Sequence, residues 1–250
     1  MDIKKKNAIV TGGAKGIGKG ISLKLAEYGA NLTVVDIDEE LLLITAEEIK
    51  KLYGVETLGL KVDVTSLDQT KVMVERTLEK FGQIDILVNN VGWDIAQPFW
   101  ETTEEFRQKI IDINYKGLVN CCFCTVPHMI KRESGKIVNI ASDAGRVGSM
   151  GETVYAGCKG GVIAFTKSLA REVARYKINV NCVSPGPTET PGHIEGTTPK
   201  LREALKKAIP LGRVATPEEQ ANAVLFFASP LSDFITGQVL SVSGGLTMVG

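Results

Sequence analysis

Long apolar runs are missing from this chain: none reaches the ~18 residues that a membrane-crossing helix requires, so no membrane partner is expected. Charge of one sign is missing too. Lys plus Arg and Asp plus Glu come to 29 each, which gives no reason to expect nucleic acid or an anionic surface as a partner. The beginning, MDIKKKNAIVTGG, lacks the apolar segment and cleavage site of a secretory signal and passes from a short basic stretch straight into a strand, so a cytoplasmic location is expected. Metal ligands are scarce. The five cysteines are an odd number and are poorly spaced for a disulfide framework. Cys121 and Cys124 form a C-x-x-C, yet GLVNCCFCTVPHMI reads as a buried helix in which cysteine is a small hydrophobe. His128 is the one imidazole nearby and no second ligand pair exists, so no metal site is expected.

What is present is an ordinary globular composition, 44% hydrophobic and 23% charged over 250 residues, which can bury a large core. No linker, internal repeat or low-complexity tract divides the chain, so a single domain over 1–250 is expected. Asn7 to Thr11 reads as a strand that breaks into TGGAKGIGKG, after which Ile17, Ile21 and Leu25 repeat at helical spacing. Glycines let a backbone approach a diphosphate, and the helix start supplies free N–H groups. The order Gly12-x-x-x-Gly16-x-Gly18 departs from the G-x-G-x-x-G dinucleotide fingerprint. A second strand, Asn31 to Val35, ends in Asp36 at about the distance expected of a ribose-binding acid. A carboxylate there accepts from both ribose hydroxyls and repels a 2′-phosphate, which favours NAD over NADP. Lys15 argues the other way, but only Ile37 and Asp38 follow Asp36, with no arginine. Asp36 could equally cap the helix that follows it.

Further strands are expected at Thr57 to Val62 (followed by Asp63 and Val64), Ile84 to Val88 (followed by Asn89-Asn90-Val91-Gly92), Ile137 to Ala141, Ile178 to Val183 and Gly237 to Val242. Seven strands alternating with helices build a Rossmann-type, doubly wound parallel sheet with helices on both faces, whose ligands sit beyond the carboxyl ends of the strands. Asp36, Asp63, Asn90 and Ser142 all fall at such ends. A helix is expected to start near Thr103, and Asn114 lies inside its apolar continuation, where an asparagine is ordinarily a satisfied buried amide. Residues 191–199 show no periodicity and read as the centre of a lid around 190–210.

Within NIASDAGRVGSMGETVYAGCKGG, Ser142 leaves a strand while Tyr155 and Lys159, four apart on a helix, share a face. A phenol near pKa ~10 is protonated at neutral pH, and a neighbouring cation is expected to lower that value. Y-x-x-x-K alone is a common accident. Taken in order, TGGAKGIG, Asp36, Asp63-Val64, NNVG, Asn114, Ser142, Y-A-G-C-K and PGPTET make the whole chain resemble the short-chain dehydrogenase/reductase family. The family usually carries alanine where Val91 stands.

The resemblance implies an oxidoreductase with a tetrad of Asn114, Ser142, Tyr155 and Lys159. In it Tyr155 exchanges the hydroxyl proton, Ser142 orients the substrate oxygen, Lys159 binds the nicotinamide ribose and Asn114 holds a relay water. It also implies a nicotinamide cofactor held by Gly12, Lys15, Gly16, Ile17, Gly18, Asp36, Ile37, Asp63, Val64, Asn90, Val91, Gly92, Tyr155, Lys159, Pro185, Gly186, Thr188 and Thr190, and a homotetramer. NNVGWD, PGPTET, AIPLGR and ITGQVLSVSGGLTM are similar to the 2-hydroxycyclohexanecarboxyl-CoA dehydrogenase subgroup, which implies a cyclic or acyl-CoA secondary alcohol as substrate. Trp93, Asp94, Asp143, Arg146, Met150 and Glu152 are expected to surround it. Lys200, Arg202, Lys206 and Lys207 are either cations for a CoA tail or a solvated helix face. The alternatives are an NADPH-dependent reductase of 3-oxoacyl thioesters and an NAD-binding regulatory protein; the latter would typically have lost the tyrosine or the lysine.

Overall fold

The structure, a computed structural model, describes residues 1–249. Its strands and helices alternate as β1 (Asn7–Thr11), α1 (Gly16–Glu27), β2 (Asn31–Asp36), α2 (Glu39–Tyr53), β3 (Thr57–Lys61), α3 (Leu67–Phe81), β4 (Ile86–Asn89), α4 (Glu104–Ile111) and α5 (Gly117–Arg132). There follow β5 (Gly135–Ile140), α6 (Ala144–Val147), α7 (Thr153–Val173), β6 (Ile178–Pro185), α8 (Pro191–Gly196), α9 (Pro199–Ala208), α10 (Pro217–Ala228) and β7 (Val239–Val242). The seven strands form one parallel sheet in the order β3-β2-β1-β4-β5-β6-β7. The order reverses between β1 and β4, which opens a crevice at their carboxyl ends.

The continuous apolar strands are explained by this architecture, because a sheet covered on both faces needs hydrophobic side chains in both directions. Neighbouring residues divide between the two layers. Val10, Val34, Val88 and Val138 pack with Ile21, Leu25, Val224 and Leu225 of α1 and α10. Ile9, Val35, Leu87 and Ile137 pack with Met73, Cys121, Cys122 and Val162 of α3, α5 and α7. Cys121 and Cys122 are free thiols within this second layer. Burial raises both, Cys122 to about 12, so neither offers a thiolate.

Several boundaries differ from the sequence expectation. β4 begins at Ile86 because Asp85, just before it, turns its carboxylate to the Asn7 amide and to Arg132. β5 starts at Gly135, which pairs with Ile178, and β6 runs on to Pro185 beside Val242. The helix α2 is capped by Asp38, whose carboxylate accepts from the Leu41 amide, and not by Asp36. The aperiodic 191–199 stretch contains the short helix α8 and the start of α9. Thr190 and Thr198 cap them by accepting from the His193 and Leu201 amides, and a proline occupies the first turn of each. Capping and N1 proline are local signals that a search for hydrophobic periodicity passes over.

Candidate active site

The carboxyl end of β5 delivers Ser142, and α7 crosses behind it carrying Tyr155 and Lys159. Lys159 is 2% exposed, and its ammonium donates to the Ile140 carbonyl at 3.0 Å. Asn114 arrives from a π-helical turn, Asp112–Lys116, between α4 and α5. Such a turn shifts the side-chain register of a helix, which here rotates an amide into the core. Asn114 Nδ2 donates to the Trp93 and Ile110 carbonyls, and Oδ1 accepts from the Trp93 amide at 3.1 Å. Gly92 joins these groups. A Cβ added there would stand 3.2 Å from Asn114 Oδ1 and 3.3 Å from Lys159 Nζ. Both Asn114 donors are spent on backbone, so only the remaining lone pair of Oδ1 is open to a water in front of Lys159.

The electrostatics differ from the sequence expectation. Burial pushes the Tyr155 phenol above its ordinary value, the Ser142 hydroxyl pulls it back in part, and the Glu152 and Asp94 carboxylates push it further up. Lys159 stands 5.5 Å from the ring centroid. Burial also lowers Lys159, to about 8. Taking charge out of water is the largest cause at both groups. Ser142 Oγ accepts from the Ala144 amide at 3.2 Å, which leaves the hydroxyl proton available to a substrate oxygen.

Of the six residues expected around the substrate, Asp94 and Glu152 line a cleft with Tyr155, beside Gln97, Phe99 and Phe106. Trp93 borders it, its ring 5.9 Å from Phe106 and covered by the Lys109 ammonium at 4.1 Å. The other three lie elsewhere. Asp143 is buried, and its carboxylate accepts from Ser241 of β7 at 2.6 Å. Arg146 donates to the Val249 carbonyl, and Met150 is 99% exposed. Ser241, and Gln220, which donates to Thr188 Oγ1 and to the Val242 carbonyl, had no sequence signal. Their partners are distant in the chain.

Burial is the main cause that raises Asp94, to about 6, and Glu152 adds to it, whereas the Ile95 amide opposes it. A carboxyl that holds its proton more tightly folded than unfolded stabilises the fold most below about pH 4, and that contribution is lost as pH rises through about 6. Asp94→Asn should therefore raise the melting temperature near pH 7 and give a smaller gain, or none, near pH 4. Thermal unfolding followed at both values checks this, and an equal gain at both would contradict it.

The other half of the crevice is the glycine loop. Gly12 and Gly16 have φ of +62° and +53°, a region that side chains rarely adopt. Gly18 allows the closest approach, since a Cβ there would lie 1.9 Å from the Gly12 carbonyl oxygen. Asn90 Nδ2 donates to the Thr11 and Gly12 carbonyls, tying β4 to the loop. Asp36 is buried, with Oδ2 accepting from the Ala14 amide and Oδ1 from the amides of Ile37 and Asp38. Ile17 lies in the first turn of α1, and Lys15 and Ile37 are exposed at the rim of the loop. Asp63 is exposed and accepts from Thr65, Val64 is buried below it, and Val91 packs against the second core layer. Across the crevice Pro185 ends β6, Gly186 lies so close to Ser243 that a Cβ would not fit, and a Cβ at Gly16 would touch Thr190.

This cradle fits a dinucleotide: glycines clear the backbone, α1 points its N-terminus at the gap, and an acid ends β2. Gly12, Gly16 and Gly18 would face its diphosphate and Asp36 its ribose. Bound there, a reduced nicotinamide supplies a hydride. Beside that gap the Tyr155 hydroxyl can give a proton to a carbonyl oxygen, and Ser142 can hold the same oxygen. Together these features are those of a nicotinamide-dependent oxidoreductase.

The comparisons with known proteins agree. The family model described as enoyl-(acyl carrier protein) reductase matches residues 12–247. A 3-oxoacyl-(acyl-carrier-protein) reductase FabG of Chlamydia muridarum is 43% identical over 241 residues, 96% of this chain and 97% of that protein. The protein of the same name from Thermotoga maritima is 42% identical over 253 residues, 99% of this chain and 100% of that one. Among solved structures, 7α-hydroxysteroid dehydrogenase complexed with NADH and 7-oxo glycochenodeoxycholic acid superposes with a TM-score of 0.94 at 30% identity, covering 98% of this chain and 95% of that chain. Levodione reductase superposes with a TM-score of 0.93 at 28% identity, covering 97% of each. The chain belongs to the short-chain dehydrogenase/reductase family.

Proposed function

We propose that this protein reduces the ketone of a 3-oxoacyl thioester to the 3-hydroxyacyl thioester, with NADH as the preferred cofactor. The observation that carries the reading is the Tyr155 phenol beside Ser142, a proton donor and a hydrogen-bond donor placed for one ketone oxygen. A carbonyl reductase must donate a proton as hydride arrives, and a phenol that holds its proton is in the form required. The name shared by the relatives from Chlamydia and Thermotoga supports the thioester. It therefore replaces the cyclohexyl-CoA alcohol as the first choice of substrate. Tyr155, Ser142, Lys159 and Asn114 are the catalytic set in this reading, and residues 191–208 form a lid over the crevice. Self-association as a tetramer belongs to the same reading, supported by the exposed Phe123 and Phe234 and by β7, an edge strand with Leu240 41% exposed.

NADH preference rests on Asp36. Its carboxylate lies where an adenosine ribose would sit and would repel a 2′-phosphate. Asp36→Ala also removes the bond to Ala14 that steadies the glycine loop. Loss of charge-assisted bonds worth about 1.5–3 kcal/mol should lower kcat/KM for NADH about 10- to 100-fold and narrow its advantage over NADPH. Nicotinamide absorbance with a 3-oxoacyl thioester and each cofactor tests both statements. A wild-type protein faster with NADPH would overturn the reading of Asp36.

A second reading, reduction or oxidation at a cyclic substrate such as a 2-hydroxycyclohexanecarboxyl-CoA, is favoured by the 7-oxo steroid bound in one structural neighbour and by the broad Trp93 indole at the cleft. Turnover of cyclic ketones with no turnover of any 3-oxoacyl thioester would select it.

A further inference from the structure

A cavity of about 410 Å3 lies between α8, α9 and residues 213–216, and its wall includes Glu189, His193, Arg202, Lys206, Arg213 and Thr216. It shares no lining residue with the cleft beside Tyr155. The Glu189 amide donates to Ala215 and the Ala215 amide to Pro187, so residues 187–190 run extended beside 214–216. Side chains alternate along such a segment. Thr188 meets Gln220 and Thr190 faces Gly16 of the glycine loop, while Glu189 between them opens into the cavity.

Three cations line this space with the Glu189 carboxylate, and one of the three, Arg213, is paired with Glu219. Arg202 is positioned by Nη1, which donates to the Ile194 carbonyl at 2.9 Å and the Thr197 carbonyl at 2.5 Å. Arg213 is held bidentate by Glu219, at 2.7 and 2.5 Å. Lys206 is exposed on α9 and has no ion pair among the described residues. His193 Nε2 is a buried atom with no hydrogen-bond partner. Burial and the Arg202 charge lower the His193 pKa, and the Glu189 carboxylate opposes them. A fixed guanidinium, a second guanidinium, a mobile ammonium and an unspent imidazole nitrogen are complementary to a phosphate ester. The volume exceeds what a bare phosphate needs and suits a phosphate with part of its organic arm.

We infer that this cavity is an anion site that binds the phosphate of a phosphopantetheine arm, holding a thioester substrate by the end remote from its reacting ketone. The inference rests on the thioester reading above. Lys206 is its most direct probe, because α9 can lose that charge without losing a hydrogen bond. Arg202→Ala would also release the end of α8.

The test compares wild type with Lys206→Glu on three substrates that share one 3-oxoacyl group: the CoA thioester, the acyl-carrier-protein thioester and the phosphate-free N-acetylcysteamine thioester. The KM for a phosphate-bearing substrate should rise about tenfold more than that for the phosphate-free one. A rise confined to CoA or to the carrier protein identifies the source of the arm. Equal changes for all three, or none, would overturn the site. A parallel calorimetric titration uses 4′-phosphopantetheine against pantetheine and needs no turnover. Tighter binding of the phosphorylated compound, lost in Lys206→Glu, upholds the site, and equal binding of both compounds rejects it. Wild type inactive on every thioester would reject the substrate reading, with the titration still deciding the site.

Discussion

Tyr155→Phe should lower kcat by about three orders of magnitude, within the ~10²–10⁴-fold range that a positioned proton donor contributes. The substitution keeps the ring, its packing and its place on α7, and removes only the oxygen that gives up the proton. Ser142 cannot take over. Its hydroxyl can hold the substrate oxygen but is far too weak an acid to complete the transfer. NADH affinity should change little, since the glycine loop lies across the crevice. Single-turnover kinetics together with nucleotide titration separate the two effects, and near-normal turnover would remove Tyr155 from its assigned role. The same phenol predicts how the enzyme behaves with pH. Burial raises its pKa, so the donor form persists well above neutrality. Of the pair, Lys159, lowered to about 8, changes charge before Tyr155 as pH rises.

Gly18→Ala should be comparably damaging for a different reason. The added methyl would lie 1.9 Å from the Gly12 oxygen and 2.8 Å from the Gly12 carbonyl carbon, and 2.5 Å from Asn90 Nδ2. The first two are backbone atoms of the loop that the cofactor must approach, so the loop itself has to move. Overpacking of this kind costs about 1–3 kcal/mol or more in stability. Displacing the cradle should also raise the dissociation constant for NADH at least about 100-fold, roughly 2.7 kcal/mol. Gly16→Ala is the graded control. Its nearest atom would be Thr190 Cγ2 at 3.4 Å, ordinary contact, so the cost there is mainly that of a left-handed backbone at φ +53°, about 1–2 kcal/mol. Thermal unfolding and nucleotide titration of both variants should rank Gly18→Ala well below Gly16→Ala. Wild-type binding by Gly18→Ala would show that the loop is not the cofactor cradle.

Much of the layout was legible in the chain because it is written in local terms. Apolar runs such as Ile9-Val10 and Leu87-Val88 declare strands covered on both faces, and each strand end carries the polar residue that faces the crevice. Tyr155 and Lys159 lie close together because four residues make about one helical turn. By contrast, Asp36 read as a ribose ligand or a helix cap, and only the fold brought the Ala14 amide of the glycine loop to its carboxylate. Asp143 read as a pocket residue until α6 and β7 buried it against Ser241.

The sequence alone determined the alternation of strands and helices, the glycine turn, the acid after β2 and the spacing of the tyrosine and lysine, since each depends on a few neighbouring residues and the fixed period of its element. Only the tertiary structure decided what each polar group spends its hydrogen bonds on, and so which side chains face the substrate and whether Tyr155 holds or yields its proton. Those outcomes depend on burial and on partners brought together from distant parts of the chain, as Thr188 is to Gln220 and Asn114 to Trp93, and burial changes the free energy of a charge more than any sequence neighbour does.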